Sequence, residues 1–161
     1  MTQEQVQQLK KKLNKIFLER EEQIESIIDA FNNRVNVWLY GSTGTAKTAL
    51  LNAVIEGFGY SVRAVADPTF LYLYLERSND LEKSRKLFGI NANIPTILCL
   101  DHPYMLEEYS AFIRNVLDIK HDRPHLSPFS FVVGESLWEV HDERTNWLAD
   151  YFERQIQFES I

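Results

Sequence analysis

The stretch Val37-Trp-Leu-Tyr-Gly-Ser-Thr-Gly-Thr-Ala-Lys-Thr48 decides the fold. It runs from a β-rich apolar segment into a glycine-containing turn and ends on Lys-Thr, just ahead of the apolar helical pattern Ala49-Leu-Leu-Asn-Ala-Val-Ile55. A phosphate-binding loop needs Gly, four residues, Gly, Lys and then Ser or Thr. Gly41, Ser42, Thr43, Gly44, Thr45, Ala46, Lys47 and Thr48 meet that pattern everywhere but at the sixth place, where alanine replaces glycine. The chemistry behind the pattern is specific. Backbone N–H groups turned inward and a helix N-terminus hold an anion, a lysine reaches the terminal phosphates, and a hydroxyl holds Mg2+. Gly41, Gly44, Lys47 and Thr48 supply those parts, so Gly41 to Thr48 are the expected nucleotide-binding residues, with Thr48 on the metal. Average composition would place such a loop, with Gly or Ala sixth, in a chain of this length roughly once in a hundred. The methyl group of Ala46 is tolerable at the loop-to-helix junction where that residue has helical dihedrals.

Upstream of the loop, Val6, Leu9, Leu13, Ile16, Phe17, Ile24, Ile27, Ile28 and Phe31 fall mostly three and four apart, which predicts amphipathic helix. The charged run Glu19-Arg-Glu-Glu22 interrupts the stripe, so two helices or one kinked helix are expected. Downstream, Gly57 and Gly59 are expected to close the helix after the loop, and Ser61 to Ala66 reads as a second strand. Asp67-Pro68 supplies an N-cap and a first-turn proline, so Phe70 to Leu75 opens a helix, and Asn79 to Phe88 is helical too. Thr96 to Asp101 is the third strand, Leu106 to Ile119 a helix and Phe129 to Gly134 the fourth strand. A last helix over Asp142 to Phe152 and a fifth strand over Gln155 to Phe158 complete the series. This alternation predicts an α/β domain with a mainly parallel sheet. Residues 1–34 form a helical segment packed on a core of residues 35–161, and no linker marks a further domain.

The chain has 161 residues, 45% of them hydrophobic, enough for one proper core. A formal charge of -6 argues against a surface that grips nucleic acid as a whole, so charge gives a nucleic-acid partner no support. Cys99, inside Ile97-Leu-Cys-Leu100, reads as a small core residue. Neither a signal peptide nor an apolar run of roughly 20 residues is present, so the expectation is a cytoplasmic chain without a membrane partner.

If the loop holds a nucleotide, an apolar strand ending in an acid should hold the same Mg2+ through water. Ile97-Leu-Cys-Leu-Asp101 is that strand, and Asp101 is the second expected metal residue. His102 follows it, where hydrolysing enzymes of this class usually carry a glutamate. Neutral imidazole can accept a proton, and Glu107 lies within a turn or two, so His102 and Glu107 are the candidate catalytic residues.

The segment Leu18 to Val54, LEREEQIESIIDAFNNRVNVWLYGSTGTAKTALLNAV, resembles the start of an AAA+ ATPase core of the MoxR type. In that family an Arg-Glu-Glu helix precedes the first strand, and Gly-x-x-Gly-x-Ala-Lys-[Ser/Thr] is an accepted loop. The resemblance continues through Asp101, through Phe129 to Ser136 as the strand bearing a sensor residue, and through Leu148 to Phe158. It implies a three-layer αβα P-loop NTPase core with a five-stranded sheet, ATP and Mg2+ as ligands, and protein partners or a homo-oligomer. Several departures go with it. The sensor falls near Glu135 or Ser136, and Tyr151 stands where the family has an arginine that reaches the neighbouring subunit's nucleotide. Arg144 and Arg154 are nearby but off the matching position, and the chain stops at Ile161, so the helical lid is expected to be missing. The residues that hold a nucleotide are retained better than those that act in the transition state. The reading is therefore an ATP-binding AAA+-like module with slow or partner-dependent hydrolysis, acting in a larger assembly or on a macromolecular client. The alternative is a non-hydrolysing regulatory protein that keeps the fold and modulates a larger ATPase or replication machine. A small nucleotide kinase fits less well, since the region after the third strand offers only Arg114 and Arg123 where such kinases carry arginine-rich lids.

Overall fold

Side chains alternate across a strand, and here the alternation divides the core in two. In a computed structural model, which describes residues 1–42, 44–64, 73, 74, 76–101, 106–137 and 150–159, five strands form one sheet. They are β1 (Val37–Gly41), β2 (Ser61–Ala64), β3 (Thr96–Asp101), β4 (Phe131–Ser136) and β5 (Arg154–Phe158). Their order is β2-β3-β4-β1-β5, and every neighbouring pair is parallel. Val37, Leu39, Ile97, Phe131, Val133, Ile156 and Phe158 pack into one cluster with the apolar stripes of α1 (Gln3–Ile16), α2 (Glu21–Asn32) and α3 (Lys47–Phe58). Trp38, Leu98, Leu100 and Val132 pack into the other cluster, against Ile113, Val116 and Leu117 of α5 (Leu106–Asp122). Helices thus cover both faces of a parallel sheet, the α/β arrangement expected from the strand and helix alternation and the three layers implied by the resemblance.

Local chemistry sets the element ends. Thr2 starts α1 with a reciprocal cap, its Oγ1 accepting from the Gln5 N–H at 3.1 Å while its own N–H donates to Gln5 Oε1 at 2.9 Å. The helix stops at Phe17, the chain turns through Glu19 at φ 60, and α2 begins at Glu21, so the charged run does separate two helices. The helix α4 (Leu81–Phe88) starts on Asp80, whose Oδ1 accepts from the Lys83 N–H at 3.2 Å, and ends on Gly89. Gly59 ends α3 in the left-handed region, whereas Gly57 lies inside that helix and not at its close. A Cβ on Gly57 would stand 2.6 Å from Leu9 Cδ1, so bare backbone there lets α1 pack against α3.

Two further contacts tie the sheet together. Gly134 lies opposite Trp38 in the β1–β4 register, and a Cβ on it would come within 2.4 Å of the indole Cε3. The vacant volume lets the indole lie over β4 and meet Phe152 edge-on at 5.1 Å. Asn36 joins three segments, its Nδ2 donating to the Tyr151 carbonyl at 2.8 Å and its Oδ1 accepting from the Val132 N–H at 2.8 Å.

Some expected boundaries shift. The fourth strand begins at Phe131 and not Phe129, because the Phe129 N–H and carbonyl are both engaged by the Ser127 hydroxyl, at 3.2 and 3.3 Å. Of the expected last helix, residues 142–149 lie outside the described residues, and Asp150 and Tyr151 form a 3-10 turn in place of α-helix. Asp67-Pro68 and the end of the expected second strand also lie outside them.

The topology places a crevice at the C-terminal ends of β1 and β4, which are neighbours in the sheet but not in sequence. After β1 the chain crosses the sheet through α3 on one face. It reaches β5 from the other face, where Tyr151 and Phe152 pack. Ligands of open α/β sheets bind where the connections diverge in this way.

Candidate functional site

Gly41 to Thr48 occupy that crevice, between the end of β1 and the start of α3, with Thr43 outside the described residues. Gly41 has φ 151, Gly44 φ 82 and Ala46 φ 67, so the loop reverses through conformations that glycine adopts freely. Ala46 corrects the sequence reading. Its dihedrals, φ 67 and ψ 18, are left-handed, so alanine occupies a backbone state suited to glycine. Ala46→Gly is expected to stabilise the ligand-free fold by about 0.5–1 kcal/mol, the relieved left-handed strain being partly offset by glycine's freer unfolded chain. Urea unfolding measures this, and a destabilised glycine variant would show that Ala46 carries no strain.

No side chain caps the first turn of α3. Uncapped N–H groups and the dipole of that helix face the loop, the arrangement that favours an anion. Lys47, the first residue of α3, folds its ammonium back over the loop, donating to the Gly41 carbonyl at 2.6 Å, the Ser42 carbonyl at 2.9 Å and Thr45 Oγ1 at 3.4 Å. Only 8% of Lys47 is exposed. Burial pushes its pKa below the ordinary lysine value, and the Glu135 carboxylate acts in the opposite direction. Thr45 Oγ1 also donates to the Ser42 carbonyl at 2.8 Å, closing the turn on itself.

Glu135 is the residue whose part the sequence left open. It lies near the end of β4, in register with Leu39 of β1 and Asp101 of β3, and its Oε1 accepts a hydrogen bond from Thr48 Oγ1. Ser136, the other residue read as a possible sensor, is buried. A hydroxyl and two acidic residues on adjacent strand ends are oxygen donors of the kind that hard dications use. Mg2+ is usually held by one or two carboxylates together with water and substrate phosphates. The residues present therefore fit that ion, although among the described residues no group of three or more His, Cys, Asp or Glu forms a closed cage. Asp101 ends β3 at the same end of the sheet. His102 and the side chains of Asp101 and Glu107 lie outside what is described.

Arg20, read only as part of the Arg-Glu-Glu run, is a structural link to the loop. It is 4% exposed, donates to the Thr45 carbonyl at 3.1 Å and the Glu159 carbonyl at 2.6 Å, and lies over the Phe158 ring at 5.3 Å. One guanidinium thereby fastens α2, the loop and the end of β5. The arginine question resolves in part. Tyr151 donates its hydroxyl to Asp118, a bond that helps raise the phenol pKa to about 12. Arg154 is tied to α2, at 2.8 Å from Asp29 Oδ2 and 3.1 Å from Ser26 Oγ, and Arg144 lies outside the described residues.

No protein-family model matches the chain, and no curated protein matches it. Solved structures do. A structure of Drosophila ORC bound to DNA superposes with a TM-score of 0.60 at 17% identity, covering 96% of this chain and 46% of that one. A DNA replication initiation factor superposes with a TM-score of 0.53 at 21% identity, covering 87% of this chain and 46% of that one. The chain spans less than half the length of either. At these identities the likeness is one of fold alone, a parallel sheet covered by helices on both faces. Among the described residues no helix is long and apolar enough to cross a membrane.

Proposed function

We propose that the chain is an ATP-binding AAA+-like module whose nucleotide lies on Gly41 to Thr48 and which acts within a larger assembly. The observation that carries this is the Lys47 ammonium, buried over the loop carbonyls at the uncapped start of α3. A buried cation beside free N–H groups is where phosphate oxygens gain most. Within the AAA+ fold, the alanine-bearing loop supports the MoxR-type affiliation. Mg2+, held by Thr48 and reached by Asp101 and Glu135, would neutralise phosphate charge. The chain's own residues do the rest: the loop N–H groups orient the phosphates, and Lys47 turns from the loop carbonyls to the terminal phosphates. Hydrolysis is slow or depends on a partner. His102 and Glu107 are the residues assigned to proton transfer, Tyr151 carries no cation at the arginine-finger position, and Arg154 is engaged by Asp29 and Ser26. That one structural neighbour is bound to DNA and another is a DNA replication initiation factor supports a macromolecular client linked to nucleic acid.

A melt of the chain alone and with ATP, ADP or GTP plus Mg2+ tests the assignment. A ligand bound only to the folded state at about 100 times its dissociation constant adds roughly 2.7 kcal/mol. Adenine nucleotides are expected to raise Tm by several degrees, and an unmoved Tm would overturn the site. Glu135→Gln should cut the Mg2+-dependent part of the ATP shift by more than about half while leaving the metal-free response unchanged, since one carboxylate of the small Mg2+ donor set is lost. An unaltered Mg2+ dependence would remove Glu135 from that set.

The second reading, a regulatory protein that retains the fold without turnover, is favoured by one observation. Thr48 and Lys47 are both satisfied within the chain, by Glu135 and by loop carbonyls. A nucleotide-dependent melt without measurable phosphate release, alone or with a partner ATPase, would select it.

A further inference from the structure

A cavity of about 450 Å³ opens at the opposite end of the sheet from the nucleotide loop. It is lined at the starts of β3 and β4 by residues that include Thr96 and Ser130, and Arg34, Arg85 and Lys120 converge on it from three separate segments. No acidic residue lines it, in a chain with 23 acids against 17 lysines and arginines. Among the described residues none of the three side chains has a hydrogen-bond or ion-pair partner. Arg85 and Lys120 stand in the last turns of α4 and α5, where carbonyl ends attract cations. That accounts for each cation singly but not for their meeting with Arg34, which comes from the loop before β1. Burial lowers the Lys120 pKa while the Glu153 carboxylate acts against the shift, so this ammonium is partly desolvated.

We propose that this cavity is a second anion site, one that binds a small phosphorylated molecule by its phosphate. Phosphate fits better than a lone carboxylate because three converging cations call for two or more negative charges, and guanidinium forks match phosphate oxygens two at a time. The cavity volume is that of a small-molecule site. Strands five or six residues long put it roughly 15–20 Å from the loop, too far for one nucleotide phosphate chain to fill both.

Pyrophosphate is the probe, titrated into the ¹⁵N-labelled Lys47→Ala chain so that the loop lysine contributes nothing. Amide shifts are expected at Asn91, Asn93, Ile94 and Ser130. The double variant Arg85→Gln, Lys120→Gln in the same background should weaken binding roughly tenfold or more. Its ligand-free melt should move by no more than a few degrees, because each side chain loses only its attraction to a helix end and neither loses a hydrogen bond. Should Lys47→Ala fail to fold, the same mapping on the unmodified chain separates the sites, since amides 41–48 report independently of amides 91–94 and 96, and Arg34→Gln supplies the second variant. Shifts confined to residues 41–48, or equal affinity in the double variant, would overturn the proposal. So would a single-stranded oligonucleotide that binds through these three residues while pyrophosphate leaves them unmoved.

Discussion

Lys47→Ala is expected to abolish the stabilisation by ATP that the proposed site predicts, a loss of at least about 2.7 kcal/mol where ATP stands at 100 times its dissociation constant for the unmodified protein. The reason lies in what the ammonium does before ligand arrives. At 2.6 and 2.9 Å from the Gly41 and Ser42 carbonyls it holds the loop in a compact turn, and it is the cation nearest to where phosphate oxygens would meet the start of α3. Without ligand the variant should melt within about 1 kcal/mol of the unmodified protein. The lost hydrogen bonds are offset by removal of a desolvated charge, and the neighbouring Ser42 is exposed enough for water to reach its carbonyl. An ATP shift of equal size in the variant would detach the loop from the site. The pH response has a definite sign. The folded chain holds the Lys47 proton less tightly than the unfolded chain, whose lysine titrates at the ordinary 10.5. Between the lowered folded value and 10.5 the unfolded state binds more protons, so this residue's contribution to ligand-free stability rises with pH. ATP affinity falls over the same window as the cation is lost, and melts with and without ATP across alkaline pH should move in opposite directions.

How much of this was legible in the sequence follows from the range of the interactions. The loop, the five strands and the break before Glu21 are written in local patterns: glycine placement, apolar alternation and a charged interruption of a helical stripe. The left-handed state of Ala46 is not legible in the sequence, because the turn around it imposes that state and its own propensity does not. Glu135 was placed only as one of two possible sensor residues, since its meeting with Thr48 depends on the register of β1 with β4. Arg20 reads from sequence as one charge in a run. Only the fold shows it buried between the Thr45 and Glu159 carbonyls, 25 and 139 positions away. The basic cavity joins positions 34, 85 and 120, and no window of sequence contains all three.

Gly41→Ala is the substitution expected to cost most in stability, about 3–5 kcal/mol out of the 5–15 typical of a domain. Two effects combine at this residue. Its φ of 151 disfavours any side chain, and a Cβ would lie 2.1 Å from the backbone carbonyl oxygen of Phe158, which pairs with it across β1 and β5. A flexible side chain could move aside, but a strand carbonyl cannot without breaking the ladder. Arg20 binds the Glu159 carbonyl just beyond that pair, so a displaced β5 would also pull on the Thr45 end of the loop. Gly44 is the control: its φ of 82 strains any replacement, yet nothing lies within 4 Å of its would-be Cβ, so Gly44→Ala should cost only about 1–2 kcal/mol. Denaturant unfolding of the two variants separates close approach from backbone strain. A Gly41 loss several times that of Gly44 would show that the nucleotide loop is anchored by its contact with the last strand. Equal losses would mean that β5 can retreat, leaving the loop to be held by Lys47 and Arg20 alone.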